Sequence, residues 1–566
     1  MIKLLKKLIV KNNVDGYIVP KNDEFFSEYS FPNRLKLISN FSGSAGLAII
    51  LRNKNMLFVD GRYTLQANIE SGKAFKIFEI PLVRPFNIIN RDKKKIKLGF
   101  DPKLFTEINL NINFGKSCDL VPINNNLIDE VFDLKNKEKI KQFYSLNKVV
   151  TGEDIYSKIH RLSSKLKKKK LDNIFISAPE NCAWLLNIRG FDNPNSPIPN
   201  CQIIMDKNKK IFFFSNKKKI SKIRNSINYK KIKFYEFSDF TKVIYQLIGN
   251  NFSIDNNSCS IFNKSIILSK FNINNKIDPC YELKAVKNNT EINNMINAHI
   301  SDGAALTKFL FWMKSKKNFN LTEMNVEKKL ENYRKKNSNF LYPSFNTIAG
   351  SGPNGAIIHY RSNKYSNRKI KKKDIFLCDS GGQYKYGTTD VTRTICFSKP
   401  NIKIKNIFTR VLKGHIAVFN TNLNKINTGE KIDKRARTYL NKVNLDYGHG
   451  TGHGVGHFLN VHEGPQSISK YNNVKILPGM ILSNEPGYYQ KKRFGIRIEN
   501  LVYVKKIKRN IFFKNLTLAP IDYDLINFNM LSKSEKNYLS KYHSEIYSKI
   551  YKFLNYKEKK WLLSLI

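Results

Sequence analysis

The residues with the clearest potential for chemistry lie in the last third of the chain, where carboxylates follow apolar runs. Asp379 ends the run Ile375-Phe376-Leu377-Cys378, and Asp390 comes eleven residues later inside a β-branched run. A hairpin between these runs would bring the two carboxylates together. Two buried like charges repel, so the pair needs a cation between them or a shared proton. A lone aspartate at such a position would more often cap a turn.

Four of the nine histidines fall within 14 residues, a density that itself predicts a site: His449, His453, His457 and His462. The stretch 448–457 is half glycine, so the backbone can approach a ligand closely around the imidazoles. Seen alone, such a run could also be an inert surface segment.

Two more carboxylates follow this stretch. Glu485 comes at a turn after an apolar run, and Glu499 lies in a predicted strand over 494–503. In that strand Arg497 and Glu499 share one face, while Ile496 and Ile498 share the other. Charged residues in so apolar a strand must be paired or bound to a metal.

Four carboxylates and one imidazole form an oxygen-rich ligand set. Such a set suits Mn²⁺ better than Zn²⁺, which favours more nitrogen or sulfur. Four negative charges exceed what one dication neutralises, so we expect two bridged metal ions. A two-metal site activates a water and polarises a carbonyl or phosphoryl group. The residues alone leave open whether the substrate is an amide or a phosphate ester.

Two segments of the N-terminal half repeat one order of elements: an amphipathic helix, a strand and a later pair of strands. The charged stretch 135–148 is the predicted linker between them. The strands are predicted at 17–19, 47–51 and 56–59 in the first segment and at 174–176, 203–205 and 211–214 in the second.

The character of the sequence changes near Ala285. Thr290 is predicted to cap a helix whose apolar residues Ile292, Ile296 and Ile300 recur every four positions. We therefore predict an N-terminal α/β domain over 1–140, a second α/β domain over 141–284 and a catalytic domain over 285–566.

Composition excludes several classes of protein. A chain of 566 residues with 41% hydrophobic residues can build large cores, which rules out wholesale disorder. The net charge of +53 is spread along the chain, so we interpret it as a background bias and do not expect nucleic acid as a partner. Seven cysteines without a CxxC pair predict a reduced protein, and the sequence offers no bilayer span or signal peptide. A cytoplasmic location is expected.

The ligand order Asp379, Asp390, His453, Glu485 and Glu499, in its local contexts, resembles that of the pita-bread metallopeptidases, and within them the long three-domain form of aminopeptidase P. The resemblance covers essentially the whole chain. Its matching stretches are 43–46, 60–63, 352–360, 379–394, 449–455, 460–465, 484–489, 495–500, 516–521 and 538–543.

The resemblance implies a fold of two creatinase-N-like α/β domains followed by a pita-bread domain, with α/β and α+β character. It implies that Asp379 binds one metal ion, that His453 and Glu485 bind the other, and that Asp390 and Glu499 bridge them.

The same resemblance assigns roles around the ligands. Glu485 is the candidate general base, and His462 and His359 would contact the substrate, with His462 donating to the carbonyl or oxyanion oxygen. His449 would line the same pocket, and Tyr489 and Arg497 would support the ligands. The implied substrates are peptides with proline at position two, and a homodimer is expected.

Three alternatives remain beside an Xaa-Pro aminopeptidase. Prolidase cleaves Xaa-Pro dipeptides with the same five ligands but usually has one N-terminal domain, and methionine aminopeptidase leaves the whole N-terminal half unexplained. A non-catalytic pita-bread binding protein would suit the charge of +53, but all five ligand positions hold competent side chains.

Several residues near the motifs are interpreted as bystanders. His457 stands where family members often carry a small residue. Cys378 should point away from the metal ions as a buried apolar side chain. His160, His299, His415 and His543 are interpreted as ordinary core or surface histidines.

Overall fold

The structure is a computed structural model that describes the chain except for residues 29–30, 90–94, 135–139, 228, 316–319 and 365. The described residues form two units. The first unit contains 1–148 and 153–281, and the second contains 149–152 and 282–566. The first five residues of the predicted linker lie outside the described residues, and the division at 140 and 284 stays a prediction.

The first part of unit 1 is a six-stranded sheet with helices. Its strand order is β4-β3-β2-β1-β5-β6. In chain order the elements are α1 (Ile2–Lys11), β1 (Gly16–Pro20), α2 (Arg34–Ser39), β2 (Leu47–Leu51), β3 (Asn55–Asp60), α3 (Thr64–Ser71), β4 (Lys76–Ile80), α4 (Pro85–Ile89), β5 (Lys97–Phe100), α5 (Glu107–Asn113), β6 (Asp119–Pro122) and α6 (Leu127–Phe132).

The second part of unit 1 contains another six-stranded sheet. Its elements are β7 (Tyr144–Ser145), α7 (Lys148–Thr151), α8 (Ile155–Lys168), β8 (Asn173–Ile176), α9 (Pro179–Leu185), β9 (Ile188–Arg189), β10 (Gln202–Asp206), β11 (Ile211–Phe214), α10 (Ser221–Ser226), β12 (Ile232–Tyr235), α11 (Phe240–Gln246), β13 (Asn251–Ile254), α12 (Ile261–Leu268) and β14 (Asn272–Asn275). Helix α7 crosses from the first unit into the second.

The two sheets share one topology. The second has the order β12-β11-β10-β8-β13-β14, which repeats the first sheet position by position. In each sheet the second, third and fourth strands of this order pair antiparallel with one another. The other three neighbouring pairs are parallel. The repeated order predicted from the sequence is therefore confirmed, and so is the α/β character of this half.

Unit 2 is built from antiparallel strands and long helices. Its elements are α13 (Pro279–Ala285), which begins in unit 1, α14 (Asn289–Lys314), α15 (Glu323–Lys335), β15 (Phe340–Pro343), β16 (Ile348–Ser351), β17 (Ile375–Ser380), β18 (Gly382–Tyr384), β19 (Gly387–Thr388), β20 (Val391–Cys396), α16 (Ile402–Phe419), α17 (Gly429–Asn441), β21 (Gly452–Gly454), β22 (Glu463–Ile468), β23 (Ile481–Asn484), β24 (Gly487–Gln490), β25 (Phe494–Arg497), β26 (Asn500–Ile507), β27 (Asn510–Asn515), α18 (Lys533–Ile550) and α19 (Tyr556–Leu563).

The strands of unit 2 form the sheets β15-β18-β19, β16-β17-β20, β22-β21-β23-β26-β27 and β24-β25. Every strand pair described in these sheets is antiparallel. A core made by α16, α18 and the strands around the site includes Phe408, Leu412, Ile496 and Ile546, all buried. This core fixes the strand ends that carry the charged residues.

Helix α14 corrects one prediction. Its N-cap is Asn288, whose side chain accepts from the backbone of Glu291 while the Glu291 side chain accepts in return from the backbone of Asn288. Thr290, predicted as the cap, lies inside the first turn. Among the described helices, none is long and apolar enough to cross a membrane.

Candidate metal centre

Two antiparallel strands deliver the first pair of carboxylates. Strands β17 and β20 pair so that Asp379 lies opposite Thr392, and Asp390 directly precedes β20. The connection is longer than a simple hairpin because it contains β18 and β19. Carboxylate oxygens of Asp379, Asp390 and Glu499 nevertheless lie within 4.8 Å of one another, and all three residues are buried. The expected meeting of Asp379 and Asp390 is thus observed.

Glu499 reaches this cluster from a break between two strands. The sequence predicts one strand over 494–503, but β25 ends at Arg497 and β26 begins at Asn500. At the break the Glu499 N–H donates to the Thr392 carbonyl at 3.2 Å, and Glu499 Oε2 accepts from Thr392 Oγ1 at 2.7 Å. A neighbouring chain segment therefore satisfies the backbone where the sheet pairing stops.

His453 lies on β21, and Glu485 directly follows the neighbouring strand β23. The His453 N–H donates to Ser483 Oγ at 2.9 Å, and Ser483 Oγ donates to Glu485 Oε1 at 2.9 Å. His453 Nε2 lies 3.5 Å from Glu485 Oε1 and 3.5 Å from Asp390 Oδ2. A Cβ at Gly452 would lie 1.9 Å from the Ser483 carbonyl oxygen, so only glycine permits this approach.

The other ring nitrogen of His453 fixes its orientation. His453 Nδ1 lies 2.9 Å from the carbonyl oxygen of Gly454, to which it donates when the ring is neutral. Nε2 then presents its lone pair to the carboxylates, as a metal-binding imidazole must.

Arg497 lies behind the carboxylates. Its guanidinium donates to Asp379 Oδ2 at 2.5 Å, to Thr392 Oγ1 at 3.0 Å and to the Tyr489 hydroxyl at 2.6 Å. The same hydroxyl is 2.9 Å from His449 Nε2. Since Tyr489 accepts from Arg497, its own proton is available to His449. The structure thus brings together three residues expected to surround the ligands.

The two histidines expected to contact substrate differ in position. The rings of His462 and His453 have centroids 4.4 Å apart, and one ligand atom each of Asp390, His453 and His462 lie within 4.8 Å of one another. His359 lies outside the ligand groups, half-buried in the turn that follows a 3₁₀ turn over Gly352–Ala356.

The electrostatics of the cluster favour cations. Asp379 Oδ1 is buried without a hydrogen-bond partner. Burial raises the pKa of Asp379 to about 7, and burial together with the charges of Asp390, Glu485 and Asp379 raises the pKa of Glu499 well above its usual range. The charged forms are therefore unfavourable unless positive charge lies among them. The residues fit two divalent metal ions held by oxygen-rich ligands.

Residues interpreted as bystanders lie apart from the ligand cluster. His457 Nδ1 is 3.6 Å from Glu291 Oε1 on α14. Cys378 packs in an apolar cluster with Phe376 and Ala349, and burial raises the pKa of its thiol to about 12. An inert thiol of this kind matches the expectation for a core cysteine.

Two supporting groups were missed by the sequence reasoning. Asp433 and Arg437 on α17 hold the chain around His449, and buried Lys284 and Lys287 both pair with Glu463, the neighbour of His462. The only sequence signal of these pairs is the separation of four residues between Asp433 and Arg437, which is common on exposed helices.

Family models match most of the chain. The model of metallopeptidase family M24 matches residues 293–506, and the C-terminal region of peptidase M24 matches 511–564. The creatinase/prolidase N-terminal domain matches 135–291.

Individual proteins match this chain over nearly its whole length. The chain is 36% identical to a probable Xaa-Pro aminopeptidase P of Laccaria bicolor, over 96% of this chain and 89% of that protein. It is 36% identical to Xaa-Pro aminopeptidase 1 of Dictyostelium discoideum, over 100% and 96%.

Solved structures are also similar to this chain. The X-prolyl aminopeptidase of Caenorhabditis elegans, described as a cytosolic enzyme with a di-nuclear active site, superposes with a TM-score of 0.93 at 28% identity, covering 100% of this chain and 98% of that chain. The Xaa-Pro dipeptidase of Bacillus anthracis covers 65% of this chain and 99% of its own, with a TM-score of 0.55 at 22% identity, and shows a shared fold.

Proposed function

The chain belongs to the Xaa-Pro aminopeptidases of metallopeptidase family M24, and from this premise we propose that it removes the N-terminal residue from peptides whose second residue is proline. The observation that carries the proposal is the gathering of Asp379, Asp390, His453, Glu485 and Glu499 within ligand distance in overlapping groups. The relatives that match nearly the whole chain are named Xaa-Pro aminopeptidases, and these names support hydrolysis of a peptide bond as the class of reaction.

The five ligands would hold two divalent metal ions. We propose Mn²⁺ for both because four of the five donors are carboxylates, which favour it over Zn²⁺. When bound, the ions supply an activated water and a positive charge near the substrate carbonyl oxygen. Metal analysis of the purified protein by mass spectrometry tests the identity of the ions.

Glu485 is proposed as the general base. Ser483 holds Glu485 Oε1, and the Glu485 N–H donates to the Thr451 carbonyl at 2.8 Å, so the carboxylate has little freedom to turn. It would accept the proton of the attacking water and return it to the departing amine. Because proline nitrogen carries no hydrogen in the peptide, that proton completes the leaving imino group.

His462 and His359 are proposed to contact the substrate. His462 lies against His453 and can donate to the carbonyl oxygen as negative charge develops there. A pocket lined by imidazole rings suits the rigid proline ring, since its fixed φ leaves little conformational entropy to lose on binding.

The first experiment compares three substrates with Mn²⁺ present. The peptides Arg-Pro-Pro, Arg-Ala-Pro and the dipeptide Ala-Pro are incubated with the unaltered chain and with Glu485→Gln. We expect release of arginine from Arg-Pro-Pro, little cleavage of the other two, and loss of activity by at least about a thousandfold in the variant.

Two outcomes would change the conclusion. Preferred cleavage of Ala-Pro would identify a dipeptidase with the same chemistry. No cleavage of any peptide, with two metal ions bound per chain and other divalent ions tried, would contradict the proposed reaction and favour a binding role.

The oligomeric state and location are also proposals. We propose a homodimer in the cytoplasm, on the basis of the family resemblance and the absence of any CxxC pair among the seven cysteines. Light scattering of the purified chain, whose mass is 65.7 kDa, decides between monomer and dimer.

A further inference from the structure

An ion pair on α17 lies close to the candidate site but is not among its ligands. Arg437 Nε donates to Asp433 Oδ2 at 2.7 Å and Arg437 Nη2 donates to Asp433 Oδ1 at 3.1 Å, one helical turn apart. Both side chains are buried. A buried pair of this kind must satisfy its remaining donors and acceptors locally.

Those remaining bonds all go to the segment 446–451. Arg437 Nη1 donates to the Tyr447 carbonyl at 2.8 Å and Arg437 Nη2 to the His449 carbonyl at 2.7 Å. Arg437 also donates to Asp446 at 2.7 Å and lies 3.9 Å from the centroid of the Tyr447 ring. Asp433 Oδ1 accepts from Thr451 Oγ1 at 2.6 Å. One ion pair thus holds both ends of this segment.

The segment contains one residue of the site, His449, and contacts another, Glu485. His449 is hydrogen-bonded at both ring nitrogens: Nδ1 donates to the Gly450 carbonyl at 2.8 Å, and Nε2 accepts from the Tyr489 hydroxyl at 2.9 Å. The Thr451 carbonyl accepts from the Glu485 N–H at 2.8 Å. A shift of the segment would therefore move the imidazole and the main chain of the general base together.

We propose that Asp433 and Arg437 are positioning residues of the reaction, which set the orientation of His449 and, through Thr451, of Glu485. This inference rests on the proposed function for its kinetic consequence, but its structural content does not depend on it. The pair contacts no ligand side chain directly. Its effect on catalysis must therefore pass through the segment 446–451.

The test removes both charges at once, because substitution of Arg437 alone would leave the buried Asp433 carboxylate without its cation and endanger folding. The variant is Asp433→Asn/Arg437→Met. The matched control is Lys413→Met/Glu535→Gln, which removes a pair between α16 and α18 with an N–O distance of 2.6 Å. A second variant, Thr451→Val, removes the hydroxyl bond and leaves the ion pair intact.

Kinetics in two backgrounds separate positioning from general destabilisation. In the unaltered background we expect the pair variant to lose about tenfold to a hundredfold in kcat/KM on Arg-Pro-Pro, mainly in kcat. In a His449→Gln background the same change should cost less, since one of the two residues being positioned is already absent and only the effect through Thr451 on Glu485 remains. An equal loss in both backgrounds, or no loss in the first, overturns the proposal.

Hydrogen–deuterium exchange measured by mass spectrometry gives a readout without activity. We expect faster exchange in peptides covering 446–451 and Glu485 for the pair variant and, at Glu485, for Thr451→Val, with no change there in the control. Unaltered exchange in these peptides contradicts the proposal. If the unaltered chain fails to cleave Arg-Pro-Pro, the proposed function fails on that control, while the exchange result still decides the positioning role.

Discussion

The Nη2 atom of Arg497 lies 2.5 Å from Oδ2 of Asp379, while the other carboxylate oxygen of Asp379 is buried with no hydrogen-bond partner. One oxygen is thus fixed by a cation of the protein, and a carboxylate oxygen of Asp379 lies within 4.8 Å of carboxylate oxygens of Asp390 and Glu499. This asymmetry leaves one oxygen of Asp379 available for its proposed role as a metal ligand.

The first prediction concerns this contact. Arg497→Met should lower metal affinity by about tenfold to a hundredfold, because Asp379 loses the group that orients it and lowers its pKa. Isothermal titration of the metal-free protein with Mn²⁺ measures the change. Tyr489→Phe is the control: it removes the hydroxyl between Arg497 and His449 but leaves Asp379 paired, so the affinity should stay unchanged. A similar loss in both variants would contradict the role assigned to Arg497.

Metal binding should stabilise the fold. With Mn²⁺ at about a hundred times its dissociation constant, the melting temperature should rise by roughly 5 °C, because the ions bind the folded chain and offset carboxylate repulsion. Glu499→Gln removes one of the repelling charges. The metal-free variant should melt above the metal-free unaltered chain, and added Mn²⁺ should raise its melting temperature less. Calorimetry of the four samples tests the ordering, and a metal-free variant that melts lower would contradict it.

A pH-dependent stability is expected far from the metal ligands. Asp278 is fully buried in unit 1, and burial raises its pKa to about 6, although it accepts from Cys280 N at 2.8 Å and Asn181 Nδ2 at 2.7 Å. The folded chain then binds a proton that the unfolded chain releases near pH 4. The contribution of this residue to stability is therefore lost as the pH rises from about 4 through 6, by up to about 3 kcal/mol.

Asp278→Asn removes this titration. Relative to the unaltered chain, the variant should become progressively more stable as the pH rises from about 4 through 6 and the difference should then level off towards pH 7.5, whatever constant difference the substitution adds. Urea unfolding of both proteins across that range measures the trend. A stability difference that does not change with pH would show that Asp278 is ionised throughout.

Breaking the pairing of one buried glutamate with two lysines should lower the free energy of unfolding. Glu463 is hydrogen-bonded to Lys287 and lies 3.3 Å from Lys284 Nζ, and all three side chains are buried. Glu463→Gln removes the counter-charge that two buried ammonium groups share, so we expect a loss of about 3–5 kcal/mol in the free energy of unfolding. Lys284→Met should cost less, since Glu463 keeps Lys287.

Chemical denaturation of the two variants tests this ranking. Lys434→Met serves as a control, because its partner Glu430 lies on an exposed helix face, and the unfolding midpoint should not change. A larger loss from Lys284→Met than from Glu463→Gln would contradict the assignment of Glu463 as the shared counter-charge.

The gathering of the proposed ligands could be predicted because each of these residues is marked by its local sequence. Asp379 follows a buried apolar run, His453 lies among glycines that permit close approach, and Glu485 follows a strand. The repeated order of elements along the N-terminal half could be predicted for the same reason, since alternation and turns are local signals.

The structure differs from the sequence-based predictions where two local signals compete, or where contacts between distant parts of the chain determine the local conformation. Asn288 and Glu291 match a capping box, but Thr290 also suits a cap, and the sequence alone does not rank them. The strand through 494–503 breaks at Ile498 because Glu499 bonds to Thr392, more than a hundred residues earlier. Asp433 and Arg437 could not be assigned a role because their partners lie in the segment 446–451. This segment follows the end of α17, and no local pattern marks it as their partner.

The five ligands come from five separate chain segments, between β17 and β26. Bound ions would therefore act as a cross-link between distant parts of the sequence, similar in effect to a disulfide that closes several loops at once. Copies that lack metal would open locally more often and expose these loops to cleavage. The supply of metal would then set how long each copy of the protein survives as well as how fast it works.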